Sequence, residues 1–182
     1  MQSYLLDDNK LQVGFENEYQ RDIEQMIDPS YEMTTLICTL FISFFTHPNA
    51  IVIDVFELQI TRQIGSDFRP LLDQPLQALQ TTKPFVYLPV CSNRHWILLR
   101  FEVSSGILLI FNSLLGVEMS LAVNGIAECL RLAYNKCVQI ENRECPQQLN
   151  GTDCGFFAMI FLLRRAKPAV YTLVNFKINF KN

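Results

Sequence analysis

The sequence has only two histidines and no large excess of either charge, and its apolar run over 36–45 is short, and each of these shortages excludes a class of protein. His47 and His95 are the only histidines, and the six cysteines form no CxxC pair, so the sequence contains no zinc-binding pattern. The net charge of -3 gives no overall reason to expect nucleic-acid binding. The apolar run over 36–45 is shorter than the roughly 20 residues that span a bilayer, so we expect a buried helix there and no membrane association.

The composition that remains is typical of a globular enzyme or binding domain. With 49% apolar and 18% charged residues, the chain can bury a sizeable core, and its 182 residues predict one domain over 1–182. Cys38 and Cys129 lie in apolar stretches, which is typical of buried free thiols. Residues 1–8 lack the basic and apolar parts of a signal peptide. These features predict an intracellular reducing compartment, the cytoplasm or nucleus, with delivery into a host cell as an effector as the alternative.

Hydrophobic spacing predicts an α+β fold in which a small mixed central sheet is flanked by helices. Residues 104–106 predict a tight hairpin connection between the second and third of three consecutive strands. The predicted helices cover 8–27, 32–46, 118–135 and the stretch after Cys154, and the predicted strands cover 51–56, 85–90, 96–103, 107–111 and 138–140.

Cys154 is the strongest candidate for a reactive group. It lies between Gly151 and Gly155, directly before the apolar run 156–163, which predicts a buried helix. At the first turn of a helix, unpaired N–H groups and the helix dipole stabilise a thiolate, which is the nucleophilic form of cysteine. The two glycines are expected to adopt positive φ and to let the backbone approach a substrate. The ordinary alternative is a small buried core residue.

His95 and Asn112 are predicted to be neighbours, although 17 positions separate them. His95 opens one predicted strand, Asn112 follows the next, and the hairpin at 104–106 brings these two ends together. A Cys–His–Asn triad forms if the helix of Cys154 packs against this end of the sheet. Gln148, on the loop before Cys154, can then donate to a developing oxyanion together with the Cys154 backbone N–H. Taken singly, each of these residues also has an ordinary structural explanation.

The combined motif resembles the ubiquitin-like-protein proteases, the Ulp/SENP family of clan CE cysteine peptidases. The resemblance covers residues 84–165 and is weak over 1–83, and it depends on His95-Trp96, Asn112-Ser113 and the sequence around Cys154, Gln148-Leu149-Asn150-Gly151-Thr152-Asp153-Cys154-Gly155. It implies a papain-like or adenain-like architecture with the nucleophile at the N-terminus of a central helix. It also implies Cys154 as nucleophile, His95 as base, Asn112 as the group that orients it, and Gln148 as oxyanion donor.

The resemblance implies substrate contacts as well. Trp96 is expected to form a slot that is too narrow for side chains and so accepts only glycine. The alternative is that Trp96 is an ordinary aromatic residue of the core. Asn150, Gly151 and Asp153 are expected to contact substrate. Tyr4-Leu5-Leu6-Asp7 is similar to the family's Trp-Leu-x-Asp, so Asp7 is either a substrate contact or a helix N-cap. The chain departs from the family at Asn112, where an Asp is usual. Neither a cofactor nor a metal is implied.

The leading functional hypothesis is a thiol isopeptidase or endopeptidase that cleaves after the C-terminal Gly-Gly of SUMO, ubiquitin or a related modifier. The expected partner is such a modifier or its conjugates, bound by a monomer, and no nucleic acid. The alternatives are a clan CE protease that matures a polyprotein of a virus or mobile element, an effector-type acyltransferase, and a binding module without catalysis. The neutral Asn112 mildly favours the last of these, whereas the presence of Cys154, His95 and Gln148 together argues against it.

Overall fold

The computed structural model describes residues 30–43, 47–53, 79–117 and 119–166, together with positions 21, 25, 28 and 45. Apart from those isolated positions, the predicted helix over 8–27 lies outside the described residues, so it stays a prediction, as does the single domain over 1–182. The described elements are, in chain order, α1 (Thr35–Ser43), β1 (Ala50–Val52), β2 (Phe85–Ser92), β3 (His95–Glu102), β4 (Ile107–Phe111), α2 (Ser120–Tyr134), β5 (Gln139–Asn142) and α3 (Cys154–Ala166).

The strands form one five-stranded sheet in the order β1-β2-β3-β4-β5. β2, β3 and β4 are antiparallel neighbours, whereas β1 and β5 add to the two sides in parallel, which confirms the predicted mixed sheet. The predicted hairpin between β3 and β4 is also confirmed. Gly106 closes it with φ +74°, and a Cβ there would lie 2.6 Å from the Cys137 carbonyl oxygen, so only glycine fits.

Side chains alternate between the two faces of the sheet and build two apolar layers. From β3, Trp96 and Leu98 pack with α1 and α3, and Ile97, Leu99 and Phe101 pack with α2 on the other face. β4 also contributes to both layers, as its unbroken apolar sequence predicts. Each such large side chain contributes about 1.5–3 kcal/mol when fully buried. The sheet is therefore covered by helices on both faces.

The first buried helix begins three residues later than the sequence predicts, at Thr35 and not at residue 32. The Thr34 hydroxyl oxygen accepts the Ile37 N–H at 3.3 Å and so caps the helix. Residues 31–34 consequently form a stretch without helix or strand before α1, which we call the covering segment. None of the helices among the described residues is long and apolar enough to cross a membrane.

Candidate active site

His95 and Asn112 meet as the sequence predicts. The β3–β4 register pairs Leu98 with Phe111, and one further step places Asn112 opposite Ile97. His95 projects from the same face as Ile97, because side chains two apart on a strand share a face. His95 is buried, and its Nε2 lies 2.8 Å from Asn112 Oδ1. The adjacent ends of β3 and β4 therefore position the imidazole of His95.

The hydrogen bonds of Asn112 determine which imidazole nitrogen carries the proton. Asn112 Oδ1 also accepts the backbone N–H of Leu114 at 3.0 Å, which identifies this atom as the amide oxygen. An oxygen only accepts, so His95 Nε2 must be the donor in its bond with Asn112. In neutral imidazole the other nitrogen, Nδ1, then has the lone pair and can act as a base.

The backbone carbonyl of Asn112 is fixed by two further donors that the sequence analysis did not identify. It accepts the Cys145 thiol at 3.1 Å and the Gln147 side-chain N–H at 3.0 Å. Burial raises the pKa of the Cys145 thiol, which keeps the proton that makes this hydrogen bond. Asn112 is thus bound through both its side chain and its main chain. Cys145 and Gln147 lie 33 and 35 positions from Asn112 along the chain, with α2 and β5 in between, so no local spacing in the sequence indicates these contacts.

Cys154 is the first residue of α3 and lies beside the start of β3. Its Sγ donates to the Arg94 carbonyl at 3.8 Å, and Arg94 is the residue that precedes His95. Asn93 and Arg94 both adopt left-handed φ, +52° and +62°, in the tight turn between β2 and β3. The predicted position of Cys154 at the start of a buried helix is confirmed. The fold places the thiol next to the residue that leads into His95.

The resting ionisation of Cys154 differs from the sequence argument, which predicted a stabilised thiolate. Burial raises the pKa of the Cys154 thiol, and the Glu32 carboxylate raises it further. The backbone N–H groups of Trp96, Gly155 and Cys154 oppose this shift without reversing it. Burial thus outweighs these N–H groups, and the pKa of the Cys154 thiol lies above its ordinary value. Attack by Cys154 at neutral pH therefore depends on a base that takes the thiol proton.

Gln148 is buried and its amide is bound at both ends. Its Oε1 accepts the Ser113 hydroxyl at 2.6 Å, and its Nε2 donates to the Asn150 backbone carbonyl at 2.6 Å. Its own backbone N–H donates to the Ser113 carbonyl at 2.8 Å. One Nε2 hydrogen is therefore used within the loop, and the second has no acceptor among the described residues. Ser113 is a functional candidate that the sequence analysis gave no role.

Asn150 and Asp153 shape the loop that leads into α3. Asn150 Oδ1 accepts the backbone N–H groups of Thr152 and Asp153 at 3.1 and 3.0 Å, and Asn150 Nδ2 donates to Asp153 Oδ2 at 2.9 Å. The expected positive φ at Gly151 and Gly155 is wrong, because the described glycines with positive φ are Gly106 and Gly116. These turn bonds let Gly151 keep an ordinary conformation. Substrate contacts by Asn150, Gly151 and Asp153 stay predictions.

The covering segment lies across Trp96 and the start of α3. Trp96 is buried, and its Nε1–H donates to the Met33 carbonyl at 3.0 Å. A Cβ at Gly155 would lie 2.4 Å from Met33 Cβ, so the close approach at Gly155 is to this segment. Arg94 forms a two-pronged ion pair with Glu32, at 3.0 and 2.7 Å. The slot role of Trp96 stays a prediction, and Asp7, the other expected contact, lies outside the described residues.

The described residues contain no group of three His, Cys, Asp or Glu side chains that could bind a metal ion. The sequence profile of the Ulp1 protease family, C-terminal catalytic domain, matches residues 66–180. The chain belongs to this family. Membership places it among the cysteine peptidases, in agreement with the resemblance noted around Cys154. No curated protein matches the chain in sequence.

Solved structures share the fold at low sequence identity. A SUMO protease Ulp1, with its catalytic cysteine oxidised to a sulfenic acid, aligns over 96% of this chain and 89% of its own, with a TM-score of 0.68 and 17% identity. The C-terminal Ulp1 protease domain in complex with Smt3, the yeast ortholog of SUMO, aligns over 84% and 73%, with a TM-score of 0.64 and 17% identity. The Xanthomonas campestris effector protein XopD, bound to ubiquitin, aligns over 71% of each chain, with a TM-score of 0.51 and 16% identity. The predicted papain-like clan CE fold is confirmed.

Proposed function

We propose that this chain is a thiol isopeptidase that cleaves after the C-terminal Gly-Gly of a ubiquitin-like modifier, with SUMO as the first candidate. The observation that carries the proposal is the bond between His95 Nε2 and Asn112 Oδ1, which leaves Nδ1 as a base at the end of the sheet where Cys154 lies. Family membership supports the peptidase chemistry. The similar structures with bound Smt3 and bound ubiquitin support a modifier of this class.

In the proposed reaction, the Cys154 thiol transfers its proton to His95 Nδ1, and the sulfur attacks the carbonyl carbon of the terminal glycine. The oxyanion that forms accepts hydrogen bonds from the Cys154 backbone N–H and from the second N–H of Gln148. Collapse of this intermediate breaks the amide bond, and His95 returns the proton to the leaving lysine amine. Water, deprotonated by His95, then hydrolyses the thioester and releases the modifier.

Asn112 acts in this proposal through orientation and not through charge. Its amide oxygen fixes the imidazole, as in Cys–His–Asn sites generally, but a neutral amide stabilises the imidazolium less than a carboxylate does. The burial that raises the pKa of Cys154 acts in the same direction, because it disfavours the thiolate of the ion pair. We therefore expect a moderately low kcat, with the orientation of the His95 imidazole fixed by Asn112.

Selection of glycine is assigned to the ring of Trp96. Trp96 and Cys154 belong to the same apolar layer, and the Met33 carbonyl of the covering segment accepts the Trp96 Nε1–H at 3.0 Å. A modifier tail therefore reaches the ring only by displacing the covering segment, and the flat ring then leaves room for glycine alone. The proposed setting is an intracellular reducing compartment, in which the Cys154 thiol stays reduced.

The test uses a panel of ubiquitin-like proteins that carry a C-terminal electrophilic warhead. We expect the wild-type chain and Cys137→Ala, which removes an exposed thiol, to form a covalent adduct with one modifier. Cys154→Ala should form none while remaining folded by circular dichroism. Peptide mapping that places the adduct on Cys91 or Cys145 would refute the nucleophile. Failure of every modifier in the panel would refute the substrate class.

A further inference from the structure

We propose that Ser113 is a positioning residue that sets the orientation of the Gln148 amide and so aims its free N–H at the oxyanion. The proposal rests on the function proposed above. Ser113 has 1% exposure and binds Gln148 twice. Its hydroxyl donates to Gln148 Oε1 at 2.6 Å, and its carbonyl accepts the Gln148 backbone N–H at 2.8 Å.

The direction of these bonds follows from the third partner of Gln148. A backbone carbonyl only accepts, so the amide atom that lies 2.6 Å from the Asn150 oxygen must be the nitrogen. The atom facing Ser113 is then the amide oxygen, and the Ser113 hydroxyl must donate to it. A turned amide would bring two oxygens together at Asn150 and leave its N–H₂ group facing Ser113. Ser113 and Asn150 therefore bind the two ends of one amide in a single orientation.

Orientation matters because the two ends of an amide are chemically opposite. A glutamine nitrogen near a developing oxyanion donates to it and stabilises it, whereas a glutamine oxygen in that place repels it. Removal of the Ser113 hydroxyl leaves Gln148 Oε1 as a buried acceptor without a partner. The amide then gains by rotating toward another donor, and its free N–H moves from its place. Ser113 acts through Gln148 in this account and does not contact the substrate.

The place of Ser113 in the chain links it to the catalytic base. Asn112 and Ser113 are consecutive residues directly after β4, and the first binds His95 while the second binds Gln148. Two consecutive residues of the loop before α3 bind the same dipeptide. The Gln147 side-chain N–H donates to the Asn112 carbonyl, and the Gln148 backbone N–H donates to the Ser113 carbonyl. One dipeptide thus positions the groups assigned as base and as oxyanion donor.

The kinetic test measures kcat and KM on SUMO or ubiquitin, whichever the warhead panel selects, bearing a C-terminal fluorogenic amide. Loss of an oxyanion donor in Gln148→Ala should lower kcat by about 10²- to 10³-fold. Ser113→Ala should lower kcat by about ten- to a hundredfold with KM within about twofold. Ser113→Ala added to Gln148→Ala should cost nothing further, because Ser113 acts only through that amide. Ser113→Thr, which retains a hydroxyl, should recover most of the rate.

A matched control removes a serine hydroxyl elsewhere. Ser105 lies at the opposite end of β3 and β4, and its hydroxyl donates to Glu102 Oε2 at 3.2 Å. Ser105→Ala should leave kcat and KM unchanged. The rate at which iodoacetamide alkylates Cys154 should also be unchanged in Ser113→Ala, because that reaction develops no oxyanion. A fall in this rate would mean that Ser113 supports the site as a whole, which would overturn the proposal.

A second readout needs no substrate. In ¹⁵N-labelled protein, the side-chain amide pair of Gln148 is identified by its loss in Gln148→Ala. In Ser113→Ala we expect this pair to shift and its hydrogen exchange to accelerate, with recovery in Ser113→Thr. An unchanged pair would overturn the role of Ser113 whatever the activity shows. Full activity in Ser113→Ala beside a slow Gln148→Ala would also overturn it and leave the proposed function intact. A wild-type chain that captures no modifier refutes the proposed function and with it the oxyanion role of Gln148, while the amide resonances still show whether Ser113 orients Gln148.

Discussion

Cys154 lies between two groups of residues that are built in different ways. On one side, Asn112 and Ser113 are joined to His95 and Gln148 by short hydrogen bonds at buried or half-buried positions. On the other side, the covering segment is held mainly by packing, since Met33 is buried in the apolar layer and the centroid of the Tyr31 ring lies 6.5 Å from that of Phe156. Its polar contacts include the bond from Trp96 to Met33 and the ion pair between Glu32 and Arg94. The Arg94 side chain is 82% exposed, so solvent screens that pair.

The difference indicates how tightly each side is fixed. A buried polar group that loses its partner costs about 1–3 kcal/mol, so the network around Asn112 and Ser113 resists rearrangement. An exposed ion pair contributes about 0–1 kcal/mol, so the covering segment depends for its attachment on the burial of Met33 and on its bond with Trp96. The catalytic geometry thus belongs to the side fixed by buried hydrogen bonds. On our proposal, a substrate tail enters on the other side, where it has to displace Met33 from Trp96.

The largest expected effect is on the side fixed by buried hydrogen bonds, at Asn112. Asn112→Ala removes the acceptor of both His95 and Leu114, so the imidazole loses its orientation, and kcat should fall by roughly 10²- to 10⁴-fold, the usual contribution of a positioned acid–base group. Asn112→Asp retains an acceptor oxygen and adds a charge that stabilises the imidazolium, so it should match or exceed wild-type activity. Steady-state kinetics on the captured modifier measure both. Wild-type activity in Asn112→Ala would remove Asn112 from the triad.

An intermediate effect is expected where the covering segment meets α3. A Cβ at Gly155 would lie 2.4 Å from Met33 Cβ, so Gly155→Ala must displace the segment and should destabilise the fold by about 1–3 kcal/mol. Gly125 in α2 is the control, since a Cβ added there would have no neighbour within 4 Å, and alanine should stabilise the helix by roughly 0.5–1 kcal/mol. Urea unfolding of both variants measures the difference. Equal stabilisation by both would show that Met33 does not lie against α3.

The smallest effect is expected at the exposed ion pair. Burial is the main cause of the raised pKa of Cys154, and the Glu32 carboxylate adds a smaller contribution. Glu32→Gln removes this smaller contribution. The pH at which Cys154 becomes reactive should move down, because a lower pKa means more thiolate at a given pH. Iodoacetamide alkylation followed over pH, with peptide mapping for Cys154, measures this. Glu128→Gln, which breaks the ion pair of Glu128 with Arg131 on α2, should leave the profile in place.

Local sequence signals were enough for the parts of the site that depend on neighbours along the chain. The apolar run after Cys154 predicted α3, and the hairpin at 104–106 predicted that His95 and Asn112 meet, which their 2.8 Å contact confirms. The start of α1 was missed by three residues, although Thr34 is a good N-cap residue and could have indicated it. Periodicity alone extended the helix into the covering segment.

Composition and periodicity by themselves determined the fold class and the main candidate residues, because these depend on patterns within a few turns or one hairpin. The resemblance of the motif around Cys154 indicated the family. Only the tertiary structure decided that Ser113 binds Gln148 from 35 positions away, and that Met33 and Glu32 lie against Trp96 and Arg94 from 63 and 62 positions away. It also decided that burial raises the pKa of Cys154 against the opposing effect of the nearby backbone N–H groups. Such contacts and desolvation depend on how layers pack in space, and no local spacing in the chain encodes them.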